Sequence, residues 1–212
     1  MKRLFLMVAC VLVMAGPTVA GNIEILNPSF ETDSLRDDSF ISYATNWIVG
    51  NAGVVNHLDS WQYTWTYGAP DGNNVAWVNG GRLYQDLAAT LTVNTTYTLK
   101  SYVGHHPEFF TSGMPDYTVQ LLAVDGTTEH VLTQITGKDP GQGNFELYGA
   151  TYFAAAGDPY LGKTLRVNLF GNTQVNFDLV SLDATAVPLP PGLLLLGSGL
   201  LGLAGWRRFR KS

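Results

Sequence analysis

The stretch "QVNFDLVSL" (174–182) decides the fold. Val175, Phe177 and Leu179 alternate with Asn176 and Asp178. A period of two is that of a strand with one face on a core and the other turned away from it. Working outward, "TLRVNLF" (164–170), "EHVLTQI" (129–135), "DYTVQLLAV" (116–124) and "YTLKSYV" (97–103) share its β-branched and aromatic content. Asp125-Gly126 between two of these runs is a hairpin signal. Gly and Asn cluster between others, at "GNNVAWVNGG" (72–81) and "GKDPGQGN" (137–144), and predict turns. No helical period lasts three turns. Roughly ten short strands, with turns every ~8–12 residues, predict a β-sandwich. The alternation places Tyr97, Leu99, Phe177 and Leu179 in its core.

The chain begins "MKRLFLMVACVLVMAGPTVA" (1–20). Lys2 and Arg3 precede an apolar run from Leu4 to Met14. Gly16 and Pro17 break the helix, and small residues lead to Ala20. This is the form of a secretory signal peptide cut after Ala20. The run is about 11 residues, against the ~20 that a membrane span needs. Cys10, the sole cysteine, leaves with it, so the mature chain can form no disulfide. An exported domain of this kind is held by its core, or by a metal.

The charge is unevenly spread. All 17 acidic residues lie between the signal and the tail, with only half of the 12 basic ones, so that span is near −11. Nucleic acid and anionic lipid are poor partners for it, because each phosphate contact needs a Lys or Arg. A neutral ligand such as a sugar, or a divalent cation, suits it better. Solubility alone would explain the charge equally well.

Two further stretches carry candidate sites. In "SWQYTWTYG" (60–68), Trp61, Tyr63, Trp65 and Tyr67 recur at every second residue. In a strand their rings share one face, where they either stack on a sugar or fill the core. "HHPEF" (105–109) holds two histidines and Glu108 but lacks the spacing of a zinc-protease helix, and Pro107 forbids a helix interior. His105 and His106 would face opposite sides of a strand; in a loop they could hold a metal or ligand. The sequence has no phosphate loop, dinucleotide fingerprint, nucleophile elbow or cysteine nucleophile, and no carboxylate pair is singled out. The expectation is a protein that is not an enzyme.

"IEILNPSFET" (23–32), "GGRLYQDL" (80–87), "NTTYTLKSYV" (94–103) and "VNFDLVSLDA" (175–184) follow one another in an order that resembles the galactose-binding-like jelly rolls, many of them carbohydrate-binding modules. The resemblance implies an all-β jelly-roll sandwich. It also implies a structural Ca²⁺ where the first and last strands lie side by side, held by Glu31, Asp178 and backbone carbonyls. Calcium takes such mixed oxygen ligands.

The chain ends "VPLPPGLLLLGSGLLGLAGWRRFRKS" (187–212). Its apolar segment spans about 22 Å as a helix, short of the ~30 Å hydrocarbon core. A basic cluster follows, which holds that end on the cytoplasmic side. A proline motif, a thin apolar helix and a basic end together resemble the PEP-CTERM sorting signal, in a variant that begins Val187-Pro188-Leu189-Pro190 and closes on Arg207, Arg208 and Arg210. The resemblance implies processing by an exosortase-type membrane enzyme after transient insertion in the inner membrane. Three parts are therefore expected: a signal helix (1–20), a β-sandwich domain (21–186) and a sorting segment with a short hydrophobic helix (187–212). The expected destination is the surface or extracellular matrix of a Gram-negative bacterium. The expected function is non-enzymatic binding of exopolysaccharide through Trp61, Tyr63, Trp65 and Tyr67. A structural matrix protein without a ligand, or a glycan-active enzyme, are the alternatives.

Overall fold

The computed structural model describes residues 20–56, 68–107 and 113–187. Among these, nine strands form β1 (Ala20–Ile23), β2 (Ser39–Ile41), β3 (Ile48–Asn56), β4 (Asn74–Thr90), β5 (Thr95–Gly104), β6 (Tyr117–Asp125), β7 (Thr128–Ile135), β8 (Phe145–Ala154) and β9 (Thr164–Ala186). All pairings between them are antiparallel. The expected all-β class holds. The signal helix and the C-terminal hydrophobic helix fall outside the described residues. Among the described residues no helix is long and apolar enough to cross a membrane.

The hydrogen-bonded order is β2-β3-β4-β9-β5-β8, with β1 and β6 also on β9, and β7 on β6. Two runs expected as separate strands, 164–170 and 174–182, are one strand of 23 residues. The first part of β9 lies between β4 and β6, and its later part between β4 and β5 and then β5 and β1. The change of neighbours needs a corner. Three adjacent strands make it with register shifts, at Gly50/Ala52 in β3, at Asn79/Gly81 in β4 and at the facing Gly171–Gln174 of β9. Bulges bend strands in this way. Gly81 belongs there because a Cβ on it would overlap the carbonyl of Gly50. The run "GNNVAWVNGG" was expected as a turn, but from Asn74 onward it is strand, and its glycines mark the bulge.

One apolar core fills the interior, with Phe30, Leu83, Tyr97, Leu99, Tyr117, Leu169 and Phe177 among its fully buried members. Tyr117 and Phe177 meet edge to face at 6.1 Å. Leu179 corrects the expected pattern. Tyr102 pairs with Asp178 and Lys100 with Ser181, so Leu179 and Val180 both stand opposite Ser101. This bulge puts Leu179 at φ 47° and shifts the alternation by one residue. Val180 and Leu182 then continue the core, while Leu179 lines a small apolar cavity with Ile23, Ile25 and Pro28.

Candidate functional site

The site lies on the face of the sheet turned away from this core. In register across five strands stand Gly53, Trp77, Asn176, Gly104 and Phe145. One step further along β9, Asp178 faces Tyr102, which faces Leu147. Directly paired residues of antiparallel strands present their side chains on one face. Alternation was expected to turn Asn176 and Asp178 away from the core, and it does. Both are nonetheless buried at 0% exposure.

Each aromatic in this row has a local reason for its place. Trp77 is half-buried; its indole N–H donates to the Ile41 carbonyl at 3.2 Å, and the Phe40 ring meets it edge-on at 6.3 Å. Phe145 lies over Gly104, where any Cβ would overlap its ring. A glycine is therefore the residue that lets Phe145 cover β5 at this point.

Asp178 is held from two sides. Its Oδ1 accepts the N–H of Leu179 at 2.7 Å, a contact made by the bulge, and its Oδ2 accepts the N–H of Asp71 at 3.0 Å. The carboxylate of Glu31 grips the same 71–74 loop, where its Oε1 accepts the N–H groups of Asn73 (2.9 Å) and Asn74 (2.5 Å). Gly72, at φ 55°, leaves room for that carboxylate. The Asn27–Asp33 turn aims Glu31. Asn27 reaches Asp33 and the Thr45 carbonyl, Trp47 donates to the Asn27 carbonyl, and Phe30 packs on Trp47. Asn74 closes the arrangement by donating to the carbonyls of Phe30 and Asp33. The expected pair Glu31 and Asp178 is thus brought to one loop.

Electrostatics single out Asp178. Burial pushes its carboxyl up to about 8; the N–H groups of Asp71 and Leu179 pull the other way, and the charges of Asp71 and Glu31 push it up further. At neutral pH it is mostly the neutral acid. A carboxyl kept protonated in a dry site can donate a proton, which an ordinary carboxylate cannot do at pH 7. Among the described residues no group of three His, Cys, Asp or Glu side chains is placed to hold a metal.

The other expected sites fare differently. His105 and His106 are both buried. The His105 Nδ1 pairs with Asp139 at 3.0 Å, and Asp139 also accepts the Gly141 N–H at 2.8 Å. This pins the 137–144 turn beside β5. Glu108, Trp61, Tyr63, Trp65 and Tyr67 lie outside the described residues, as do Pro188, Leu189, Pro190, Arg207, Arg208 and Arg210. Val187 is exposed. Trp77, Gly104, Phe145 and Asn176 were missed as site residues. Their one sequence signal is an apolar or polar residue on the non-core side of an alternating strand.

Residues 21–183 match the HpiC1-like family model, described as HpiC1 cyclase. Among solved structures, the chain is similar to the Stig cyclase Fisc from Fischerella sp. TAU in complex with (3Z)-3-(1-methyl-2-pyrrolidinylidene)-3H-indole. Identity is 30%, the match covers 81% of this chain and 100% of that one, and the TM-score is 0.69. An apo cyclase from Fischerella sp. is 28% identical over 81% of this chain and 98% of its own, with a TM-score of 0.69. A cyclase from Fischerella sp. TAU in complex with 4-(1H-indol-3-yl)butan-2-one is 29% identical over 80% and 99%, with a TM-score of 0.67. No curated protein matches.

These matches correct several expectations. The resemblance to PEP-CTERM proteins with a galactose-binding-like domain gives way to the cyclase family, whose match spans residues 21–183. A non-enzymatic polysaccharide binder, or a structural matrix protein, gives way to relatives that are enzymes. The expected exosortase, polysaccharide and inner-membrane partners give way to relatives described in complex with small molecules. The physical reason is that the quoted motifs build the Asn27–Asp33 turn, the β4 corner and β9, which specify an all-β framework and not its ligand.

Proposed function

The chain belongs to the HpiC1-like cyclase family, and from that premise we propose that it closes a ring in an indole-bearing substrate, with Asp178 as the proton donor. The observation that carries this reading is the buried Asp178 carboxyl, held neutral near pH 7 on a face lined by Trp77 and Phe145. Two of the similar cyclases are described in complex with indole compounds, which is the basis for the substrate class.

The chemistry balances within the site. The Asp178 O–H gives its proton to the polarised π-system of the substrate. The resulting cation is attacked by a second π-bond of the same molecule, and a carbon–carbon bond forms. Loss of a ring proton to the Asp178 carboxylate restores aromaticity and the acid. The product is an isomer of the substrate, so the step itself consumes no oxidant or reductant. The Leu179 and Asp71 N–H groups steady the carboxylate in its ionised moment. Burial raises the acid before the step, and the aromatic walls keep water from the cation. The sandwich is read as a jelly roll, with Trp61, Tyr63, Trp65 and Tyr67 as further ring contacts to the substrate. The leader 1–20 directs export, so the reaction takes place outside the cytoplasm.

Calcium is a second reading, favoured by the carboxylates of Glu31 and Asp178, which both hold backbone N–H groups of the 71–74 loop. Hard carboxylate oxygens suit it. Glu31 and Asp178 would hold it, and it would supply positive charge and a structural tie between the Asn27–Asp33 turn and β9. A cation at Asp178 keeps that carboxyl ionised, so the two roles exclude each other there.

The direct test offers the protein an indole carrying a tethered alkene and looks for a cyclised isomer of unchanged mass. Asp178→Asn should lower the rate at least about a hundred-fold, the usual span for removing a general acid. A mutant as active as the wild type would refute the assignment.

A further inference from the structure

Phe145, a wall of the proposed site, is the first residue of β8. The first residue of a strand is set largely by what holds the chain before it, since strand ends open at little cost. Before Phe145 runs the 137–144 segment, in which Gly141 and Gly143 take positive φ, at 84° and 73°. Such glycines leave the segment little stiffness of its own. Much of what holds it is one residue, His105.

His105 follows Gly104, the position beneath the Phe145 ring. Its N–H donates to the Asn144 carbonyl at 3.2 Å, and its carbonyl accepts the Gly143 N–H at 2.8 Å. Its buried ring pairs through Nδ1 with Asp139 at 3.0 Å. Burial works against the Asp139 charge, but the Gly141 N–H, the His105 ring and the Met114 N–H together hold its carboxyl below the usual range. The ring therefore meets a carboxylate, which makes the stronger kind of hydrogen bond. The Gln142 amide adds a bond to the Pro107 carbonyl at 2.6 Å. His105 thus grips the segment twice, by its ring at Asp139 and by its backbone next to Phe145. We propose that His105 and Asp139 are positioning residues for the substrate: they fix the approach to β8 and so keep the Phe145 ring over Gly104 as a wall of the site. The assignment rests on the proposed indole chemistry and adds to it the support of one aromatic wall. The Asp139 side chain is 45% exposed, so truncating it opens no cavity in the core and the fold should survive.

Calorimetric titration of the full chain with 4-(1H-indol-3-yl)butan-2-one, across a double-mutant cycle, tests this. Asp139→Ala should weaken binding about ten-fold, as misplaced contacts do, and lower the melting temperature by only a few degrees. Asp139→Asn should bind within about three-fold of wild type, because its amide still donates to Nδ1 in the other tautomer. Phe145→Ala should weaken binding about ten-fold or more. In the Phe145→Ala background, Asp139→Ala should add less than about two-fold, since groups that act through one another are not additive. If Asp139→Ala melts too early to assay, Asp139→Ser, too short to reach Nδ1, serves in its place. Fully additive losses, or wild-type binding by a folded Asp139→Ala, would overturn the positioning role alone. A wild type that does not bind the probe would overturn the indole reading and this assignment with it.

Discussion

The backbone N–H of Asp71 donates to the Asp178 carboxylate at 3.0 Å, across 107 residues of chain. The loop before β4 is thereby tied to the bulge of β9, and Glu31 holds the same loop from the other side. Asp178 alone of the acidic groups at this loop is buried, and the charges of the exposed Asp71 and Glu31 add to the burial that disfavours its ionised form.

Stability should carry the mark of that proton. An unfolded Asp titrates near ~3.9, and Asp178 in the folded chain titrates at about 8. Between these values the folded state binds the extra proton, so stability falls as pH rises, at up to about 1.4 kcal/mol per pH unit from this one group. Asp178→Asn should flatten the slope between pH 5 and 8 and raise the melting temperature at pH 8. Urea melts at several pH values give the comparison; parallel curves for both proteins would mean Asp178 is not buried as a neutral acid.

Calcium offers a separate test. If Glu31 and Asp178 hold it, millimolar Ca²⁺ should raise the melting temperature relative to chelator, since a ligand of the folded state alone stabilises by mass action. Glu31→Gln should remove the response. Identical melting curves in Ca²⁺ and in chelator would reject the metal reading and leave the proton as the group that relieves Asp178.

The bulge predicts a contrast between neighbours on β9. Phe177 is fully buried against Tyr117, and Phe177→Ala should cost about 3–5 kcal/mol. Leu179 sits at φ 47°, which glycine adopts without strain. Leu179→Gly should therefore change stability by less than about 1 kcal/mol, as relief of strain offsets lost packing. A loss at Leu179 equal to that at Phe177 would contradict the bulge.

Gly104 should matter for the ligand more than for the fold. Gly104→Ala drives a methyl into the Phe145 ring. The ring should swing aside, with indole binding weakened about ten-fold or more and the melting temperature lowered only a few degrees. Unchanged binding would remove Phe145 from the site.

The framework was legible where local pattern and tertiary burial agree. The alternation of Tyr97 and Leu99, and of Val175 and Phe177, placed them correctly in the core. The turn signal at Asp125-Gly126 marks the β6–β7 connection, where Asp125 pairs with Thr128. Legibility failed at irregularities. Gly80-Gly81 signals a turn or a bulge equally, and only the neighbouring Gly50 carbonyl decides. Leu179 continues the pattern on paper but not past a bulge set by Ser101, which donates to the carbonyls of Tyr102 and Asp178. The meeting of Glu31 and Asp178 was expected from a family resemblance, for a metal. The acid role proposed for Asp178 was not, because a raised carboxyl is a property of burial and of neighbours 107 and more residues away. The cyclase chemistry had no motif to show itself, since one buried acid and two rings leave no fixed spacing.

The central claim is tested most directly by the pH dependence of ring closure at saturating substrate, using the indole with a tethered alkene. With Asp178 as the proton donor, the rate should hold through neutral pH and fall about ten-fold per unit above pH 8, with Asp178→Asn slow at every pH. A wild-type rate that stays level or rises through pH 9, or an Asp178→Asn variant that follows the wild-type curve, would contradict it.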